Sequence, residues 1–197
     1  MTSHSVIVGD VPRPRSEDKL AAIVSAATRT IAAQGLSAPT AAIAREAGVS
    51  NGSLFTYFDT KAGLLNQLYL ELKTEMGTAA DSDPAGSNVR EQLRHMWMVW
   101  VHWAIDQPEK RRALAQLAVS DEITAATRRA ASEEMASAAA LLERSREQGP
   151  MRDEPLAFVL ALATALADAT IDSALGDPEN AETYARAGFA ALWRVLA

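Results

Sequence analysis

The sequence predicts an all-α protein of about nine helices, and three observations support this fold class. Alanine makes up about a fifth of the 197 residues, and it has the highest helix propensity of all residues. The ten glycines and eight prolines are sparse and fall between segments whose apolar residues recur at helical spacing. Hydrophobic residues account for 48% and charged residues for 22% of the chain, as in a soluble globular protein with one substantial core or two small ones.

The composition also excludes several kinds of site. The chain has no cysteine, which excludes disulfides, thiolate metal sites and thiol redox chemistry and suits a reducing compartment. The N-terminus lacks a basic leader followed by a long apolar run, so no signal peptide is predicted. The longest apolar run, residues 156–167, is too short to span a bilayer and predicts a buried helix. We therefore expect a cytoplasmic protein that makes no membrane contact.

A tail and one long helix are the first predicted elements. Residues 1–15 contain two prolines and no periodic pattern, which predicts a disordered N-terminal tail. Arg13 and Arg15 could reach a DNA minor groove, although a solvated tail is the simpler interpretation. The first helix is predicted from Ser16, a capping residue, to Gln34. Its apolar stripe consists of Leu20, Ile23, Val24, Ala27 and Ile31.

Two short helices joined by a tight turn are predicted for residues 40–58, which read TAAIAREAGVSNGSLFTYF. Thr40 is expected to cap the first helix with its hydroxyl. Gly48 is expected to end it, because glycine adopts the left-handed C-terminal conformation without steric cost. Small residues where the helices cross, a glycine turn and a polar second helix are what a helix–turn–helix needs to enter a major groove.

The second of these helices carries the residues expected to contact DNA. Ser50 or Asn51 is expected to cap it, while Leu54 and Phe58 face inward. Polar outward side chains can reach base edges or phosphates, and Gly52 lets the backbone approach closely; an ordinary solvated helix is the alternative. The candidate DNA-binding residues in this stretch are Thr40, Ser50, Asn51, Gly52, Ser53, Phe55, Thr56 and Tyr57.

The run IAREAGVSNGSLFTYFDTKAGLL, residues 43–65, resembles the N-terminal DNA-binding domain of TetR-type transcriptional regulators. It matches nearly every specified position of the family pattern, and the resemblance covers about residues 16–77. The resemblance implies that Phe55 and Tyr57 lie near the sugar–phosphate surface and that Lys61 contacts a phosphate. It also implies a dimeric regulator, most often a repressor, whose last two helices pair with their mates in a four-helix bundle.

The charge distribution fits a DNA-binding half and an acidic half. Residues 1–77 carry seven basic and seven acidic side chains, whereas residues 78–197 carry twelve and eighteen and account for the net charge of −6. Residues 12–62 carry six basic and four acidic side chains, and this modest positive balance suffices for DNA binding if the protein is dimeric and relies partly on backbone amides and hydroxyls at phosphates. The acidity of the chain is therefore compatible with a nucleic-acid partner.

A connecting helix and a loop are predicted between the two halves. The connecting helix, residues 61–77, is expected to touch both halves, and the Gly/Pro/Asp-rich residues 77–87 predict the loop. We therefore divide the chain into a tail (1–15), a DNA-binding domain with its connecting helix (16–77) and a helical effector-binding and dimerisation domain (78–197). Five helices are predicted in the last domain, at residues 88–106, 109–120, 121–148, 154–175 and 179–196.

Aromatic and methionine side chains crowd one helix of the second half. Met96, Trp97, Trp100 and Trp103 do not share one face, so they are more than a simple apolar stripe needs. Lining a cavity, they would hold a small apolar or aromatic effector, and packing in the core is the equal alternative. Phe158 is a weaker candidate of the same kind.

Neither a metal site nor an active site is predicted. His102 and Asp106 have a spacing that can ligate a metal, but no third ligand is evident, so a surface or hydrogen-bonded histidine is preferred. No acid–base or nucleophilic constellation is recognisable, so neither an enzyme nor a cofactor is predicted.

The prediction is a homodimeric repressor that an effector releases from a palindromic DNA operator. The alanine-rich apolar helix at 154–175 suggests burial beyond one subunit, and two-fold symmetry suits a palindrome. Control by a protein partner and activation of transcription are the alternatives.

Overall fold

The computed structural model describes residues 14–80 and 88–197, and these ranges are helical without strands. The prediction of an all-α fold is confirmed. Residues 1–13 of the predicted tail (1–15), including Arg13, and residues 81–87 of the predicted loop (77–87) lie outside the described ranges. The helices are α1 (Pro14–Gln34), α2 (Thr40–Glu46), α3 (Asn51–Tyr57), α4 (Lys61–Ala80), α5 (Val89–Asp106), α6 (Pro108–Ala118), α7 (Ala125–Glu134), α8 (Ala136–Arg146), α9 (Leu156–Gly176) and α10 (Ala181–Leu196).

Three predicted boundaries are wrong. The first helix begins at Pro14, so Ser16 lies within its first turn; proline suits a first turn because the amide it lacks would have no helical partner there. The connecting helix α4 continues past Gly77 to Ala80. The helix predicted at residues 121–148 is two helices, α7 and α8, which meet at Met135. This break accounts for ten helices where nine were predicted.

Capping residues explain where several helices begin. Asn88 accepts the amide hydrogen of Glu91 while the Glu91 carboxylate accepts that of Asn88, which forms a capping box at the start of α5. Thr60 Oγ1 accepts the amide hydrogen of Gly63 at 3.0 Å and caps α4. Thr124 caps α7 in the same way. Local sequence therefore fixes these three starts.

The buried apolar side chains form two clusters. The N-terminal core joins α1–α4 to α6 and α7, and the C-terminal core joins α5, α8, α9 and α10. Trp100 and Trp103 are half-buried and pack against both cores. Residues of the N-terminal core include Ile23, Ile31, Ile43, Leu54, Leu68, Leu72, Met76, Leu114, Leu117 and Ala131. The packing therefore divides within the predicted C-terminal domain, since α6 and α7 belong to the same core as α1–α4.

Helix α9 is apolar nearly all round, yet one side of it is exposed. Its 21 residues are long and apolar enough to cross a membrane by length and composition, and 28% of that stretch is buried within the subunit. Its buried side packs against α5 and α10. The prediction of a buried helix is thus met on one side only. We call the exposed side that carries Phe158, Ala161, Ala165, Ala169 and Ser173 the outer face of α9.

Helices α9 and α10 cross closely at Gly188. A Cβ atom at this position would lie 2.2 Å from Thr170 Oγ1 and 2.8 Å from the Trp97 ring. Trp97 is 1% exposed and donates its Nε1–H to the carbonyl of Ala185 at 2.9 Å. The absence of a side chain at Gly188 therefore lets the indole of α5 reach the backbone of α10.

Candidate nucleic-acid interface and ligand cavity

Helices α2 and α3 form a helix–turn–helix around a glycine turn. Gly48 has a φ of 69°, in the region that favours glycine. The amides of Gly48 and Val49 donate to the carbonyls of Arg45 and Ala44 at 3.1 and 2.9 Å. Leu54 of α3 is fully buried in the N-terminal core. This turn sets the angle at which α3 leaves α2, as the sequence predicts.

The two predicted caps of these helices have different outcomes. Ser50 caps α3, since its Oγ accepts the amide hydrogen of Ser53 at 3.0 Å. The prediction that Thr40 caps α2 is wrong, because Pro39 occupies the cap position and Thr40 is the first helical residue. Asn51 is likewise the first residue of α3. The DNA contacts predicted for these residues stay predictions.

One face of α3 is open to solvent. Asn51, Gly52, Phe55 and Thr56 are exposed, with Phe55 at 39%, while Ser53 and Tyr57 are half-buried. Thr56 Oγ1 donates to the Gly52 carbonyl at 3.2 Å, so it offers a DNA ligand only its lone pairs. The face therefore presents amide, hydroxyl and aromatic groups together, as a recognition helix requires.

Lys61 lies at the start of α4, next to the Thr60 cap. Its Nζ donates to the carbonyl of Leu36 at 2.5 Å and ties α4 to the segment between α1 and α2. Because an ammonium group has three N–H donors, two remain for a phosphate. The structure thus holds Lys61 beside the helix–turn–helix, and its phosphate contact remains a prediction.

A cavity of about 560 Å³ lies between the N-terminal core and the C-terminal core. Four of the five residues predicted to bind an effector, Met96, Trp97, Trp100 and Trp103, are in its lining. Other apolar side chains in the lining are Tyr69, Met76, Leu114, Met135, Leu142, Leu160, Ile171 and Leu192. The prediction for Phe158 is wrong: it lies on the outer face of α9, 49% exposed, away from the cavity.

The cavity also contains charged side chains that the sequence analysis missed. Arg111 of α6 donates to Asp172 at 2.7 Å and to Asp168 at 3.3 Å, while its buried Nε has no acceptor among the described residues. Lys73 of α4 is half-buried, and burial lowers the pKa of its ammonium. Lys73 follows Tyr69 by four residues on the apolar stripe of α4, which is the sequence signal that could have identified it.

Two helices connect the cavity to the helix–turn–helix. Tyr69 and Met76 of α4 line the cavity and belong to the N-terminal core. Helix α6 lines it with Leu114 and packs along α1, where Gln116 Nε2 donates to the Ile31 carbonyl at 3.1 Å. The α4 connection was predicted. The α6 connection was not, because it joins residues 85 positions apart in sequence.

Glu75 links α4 to α5 and α6 near the cavity. Its Oε1 accepts the Nε1–H of Trp103 at 3.0 Å and an N–H of Lys110 at 2.7 Å. Burial alone would raise the pKa of Glu75, but the hydrogen bonds from Lys110 and Trp103 outweigh it and the pKa is lowered. The hydrogen bonds from Lys110 and Trp103 therefore favour the ionised form of the Glu75 carboxylate.

Glu75→Gln is expected to make the protein less sensitive to acid. A carboxylate whose pKa is lowered on folding stabilises the fold above its unfolded pKa, and this stabilisation is lost as the pH falls through the folded pKa. Because 42% of the Glu75 side chain is exposed, the loss should stay within about 1 kcal/mol. Urea unfolding at pH 7 and in steps below pH 4.5 measures it. An equally steep loss of stability in the variant would contradict this assignment.

His102, the histidine considered as a metal ligand, contacts a carboxylate of another helix. His102 Nε2 lies 3.1 Å from Glu182 Oε2, a contact between α5 and α10 in which both side chains are about half exposed. The interpretation as a hydrogen-bonded surface histidine is confirmed. Within residues 14–80 and 88–197, no group of three His, Asp or Glu side chains is arranged to hold a metal ion.

The chain is similar to a known family of proteins and to several solved structures. Residues 23–68 match the family model of bacterial regulatory proteins of the tetR family. A protein assigned to the tetR family of transcription regulators from Shewanella sp. PV-4 has a TM-score of 0.81 and 26% identity, covering 91% of this chain and 98% of its own. A TetR family transcription regulator from Marinobacter aquaeolei VT8 has a TM-score of 0.84 and 23% identity, covering 94% of this chain and 98% of its own. FadR from Bacillus subtilis, solved in complex with stearoyl-CoA, has a TM-score of 0.69 and 15% identity, covering 90% of this chain and 100% of its own. The last two are similar in fold alone.

Proposed function

We propose that the chain is a dimeric repressor of the TetR type that a small molecule releases from a palindromic operator. The match of residues 23–68 to the family model of bacterial regulatory proteins of the tetR family supports this proposal. The observation that carries this proposal is the position of the cavity. Its lining is formed partly by α4 and α6, which pack against α1 and share the N-terminal core with the helix–turn–helix. A ligand that prefers one arrangement of these helices would change the affinity for DNA.

The DNA contacts are proposed for the exposed face of α3. Asn51 and Ser53 would reach base edges or phosphates. Phe55 and Tyr57 would pack near the sugar–phosphate surface, where the Tyr57 hydroxyl would donate to a phosphate. Lys61 would place its two remaining N–H donors on a phosphate. The cap residue Ser50 and the first residue of α2, Thr40, would lie at the edges of this surface, with Gly52 and Thr56 between them.

The homodimer is proposed to form through α9 and α10. The outer face of α9 carries an exposed phenylalanine among small residues, which allow a second helix to approach closely. On α10, Ala187 is exposed and Ala190 and Ala191 are half-buried. Binding to successive major grooves of a palindrome would require this dimer to hold two copies of α3 about 34–36 Å apart, one helical turn of DNA.

The effector is proposed to bind between the two cores. A volume of about 560 Å³ is within the range of small-molecule sites, roughly 300–1,000 Å³. The presence of stearoyl-CoA in FadR of Bacillus subtilis, a protein of the same fold, supports small-molecule control. Control by a protein partner would call for an exposed apolar patch in place of a cavity. The outer face of α9, which the dimer would cover, is such a patch, so a monomeric protein in solution would favour that alternative.

A titration of the purified protein onto DNA flanking its own gene, at fixed salt, tests the proposal. Footprinting should show a protected palindrome, and the stoichiometry should be two chains per site. If neither this DNA nor a site selected from randomised sequences is bound, the proposal is wrong. A protected site that increases transcription would replace the repressor with an activator.

Lys61→Met and Tyr57→Phe are each expected to weaken operator binding about 10–100-fold, because a hydrogen bond to a charged group contributes roughly 1.5–3 kcal/mol. Gel-shift titration measures the affinity, and circular dichroism checks that helicity is retained. Arg129→Met is the matched control, since Arg129 is exposed on α7, outside the proposed interface. An unchanged affinity in a folded variant would remove that residue from the DNA contacts.

A further inference from the structure

We infer that the cavity binds an amphipathic monoanion, with an apolar body between the two cores and a carboxylate or comparable anionic head on the ammonium of Lys73. This inference rests on the proposed function, because it names the chemical class of the effector. It follows from the charges of the lining, which include one cation for which the described residues supply no counter-charge.

Lys73 is placed among apolar side chains. It lies on α4 between Tyr69 and Met76, both buried, and all three residues line the cavity. Within the described parts of the chain no hydrogen-bond acceptor or ion-pair partner is found for its Nζ. Burial lowers the pKa of this group because the charged form has lost water and gained no partner. An anion entering the cavity would supply the missing partner and favour the charged form.

The other charged side chains of the lining offer no free carboxylate to a cationic ligand. The carboxylate of Asp168 accepts from Arg111, whose guanidinium also donates to Asp172. The carboxylate in the lining is therefore already used within the protein. A cation would meet Lys73 without compensation, whereas an anion would be stabilised.

The rest of the lining sets the nature of the body. Trp100 and Trp103 offer flat apolar surfaces, and Met96 and Met135 can adapt to the shape of a ligand. A polar body would leave its hydrogen-bonding groups unpaired against these side chains, which costs free energy. The complementary ligand is therefore an apolar chain or ring system with one anionic end.

Isothermal titration calorimetry with matched ligands tests this class. One series is decanoate, decan-1-ol and decylamine, and the other is 2-naphthylacetate, 2-(2-naphthyl)ethanol and 2-(2-naphthyl)ethylamine. Within each series only the head group changes. For a body that binds, the anion should bind roughly 10–100-fold more tightly than the alcohol, the range expected for a charge-assisted hydrogen bond. The amine should bind no more tightly than the alcohol.

Lys73→Met should reduce the affinity for the anion to that for the alcohol, and should leave the affinity for the alcohol nearly unchanged. Lys19→Met is the matched control, since Lys19 is exposed on α1 and outside the lining, and it should change neither. Thermal melting checks the fold, and Lys73→Gln replaces the methionine variant if that variant does not fold.

The possible failures are distinguishable. Equal affinities for anion and alcohol would overturn the ligand class while leaving a small-molecule site. An anion preference that survives in both Lys73 variants would overturn the role of Lys73. If no ligand of either series binds, the ligand class is overturned, and the operator titration still decides whether the protein is a DNA-binding repressor.

Discussion

Replacing Ala165 by arginine is expected to convert the dimer into monomers and to abolish tight operator binding. Ala165 lies at the middle of the outer face of α9, where two-fold symmetry would bring the same residue of both copies near the interface. A buried charge without a partner costs several kcal/mol. We therefore expect the dimer dissociation constant to rise by at least about 100-fold.

Sedimentation velocity measures the oligomeric state, and a gel shift on the operator measures binding. Ala140→Arg provides the control, since Ala140 is exposed on α8 and is absent from the proposed interface. The control should remain dimeric and bind the operator normally. A dimeric Ala165→Arg variant that still protects the palindrome would place the interface elsewhere.

Gly188→Val is expected to destabilise the C-terminal core strongly. Its Cβ would overlap Thr170 Oγ1 at 2.2 Å and the Trp97 ring at 2.8 Å, and both side chains are buried. Moving α10 outward to relieve the overlap would also stretch the hydrogen bond from Trp97 to the Ala185 carbonyl. Overpacking of this kind costs about 3 kcal/mol.

Thermal unfolding followed by circular dichroism measures this effect. For a chain of this length, 3 kcal/mol corresponds to a fall in Tm of roughly 6–12 °C. Gly176→Val is the matched control, because a Cβ at Gly176 would meet no atom within 4 Å. Equal melting temperatures for the two variants would show that α9 and α10 tolerate a wider separation at this crossing.

Local signals explain what could be predicted from the sequence. The glycine turn at Gly48 and the cap Ser50 depend on residues within four positions of one another, so the pattern sufficed. The prediction of Thr40 as a cap was wrong because the neighbouring Pro39, which also suits the start of a helix, occupies the cap position. Met96, Trp97, Trp100 and Trp103 could be predicted as cavity residues because their crowding is visible within two turns of α5.

Contacts between distant residues explain what could not be predicted. The break at Met135 interrupts a segment without glycine or proline, and it lies where α4 passes so closely that a Cβ on Gly77 would be 3.0 Å from the Glu134 carbonyl. Periodicity could not show which side of the uniformly apolar α9 faces the cavity, so Phe158 was misplaced. Lys73 was overlooked because a lysine on a helix is usually solvated.

The distribution of the two cores limits how this protein can be divided or recombined. A fragment ending at Gly77 would lack Leu114, Leu117 and Ala131 of the core that it needs. It would also expose the Ile31 carbonyl that Gln116 now covers. The DNA-reading portion is therefore not a module that can be exchanged at the end of α4. A chimera that keeps the proposed operator specificity and takes the proposed ligand response from a relative must bring a compatible α6 and α7, so the two properties would have to be exchanged together.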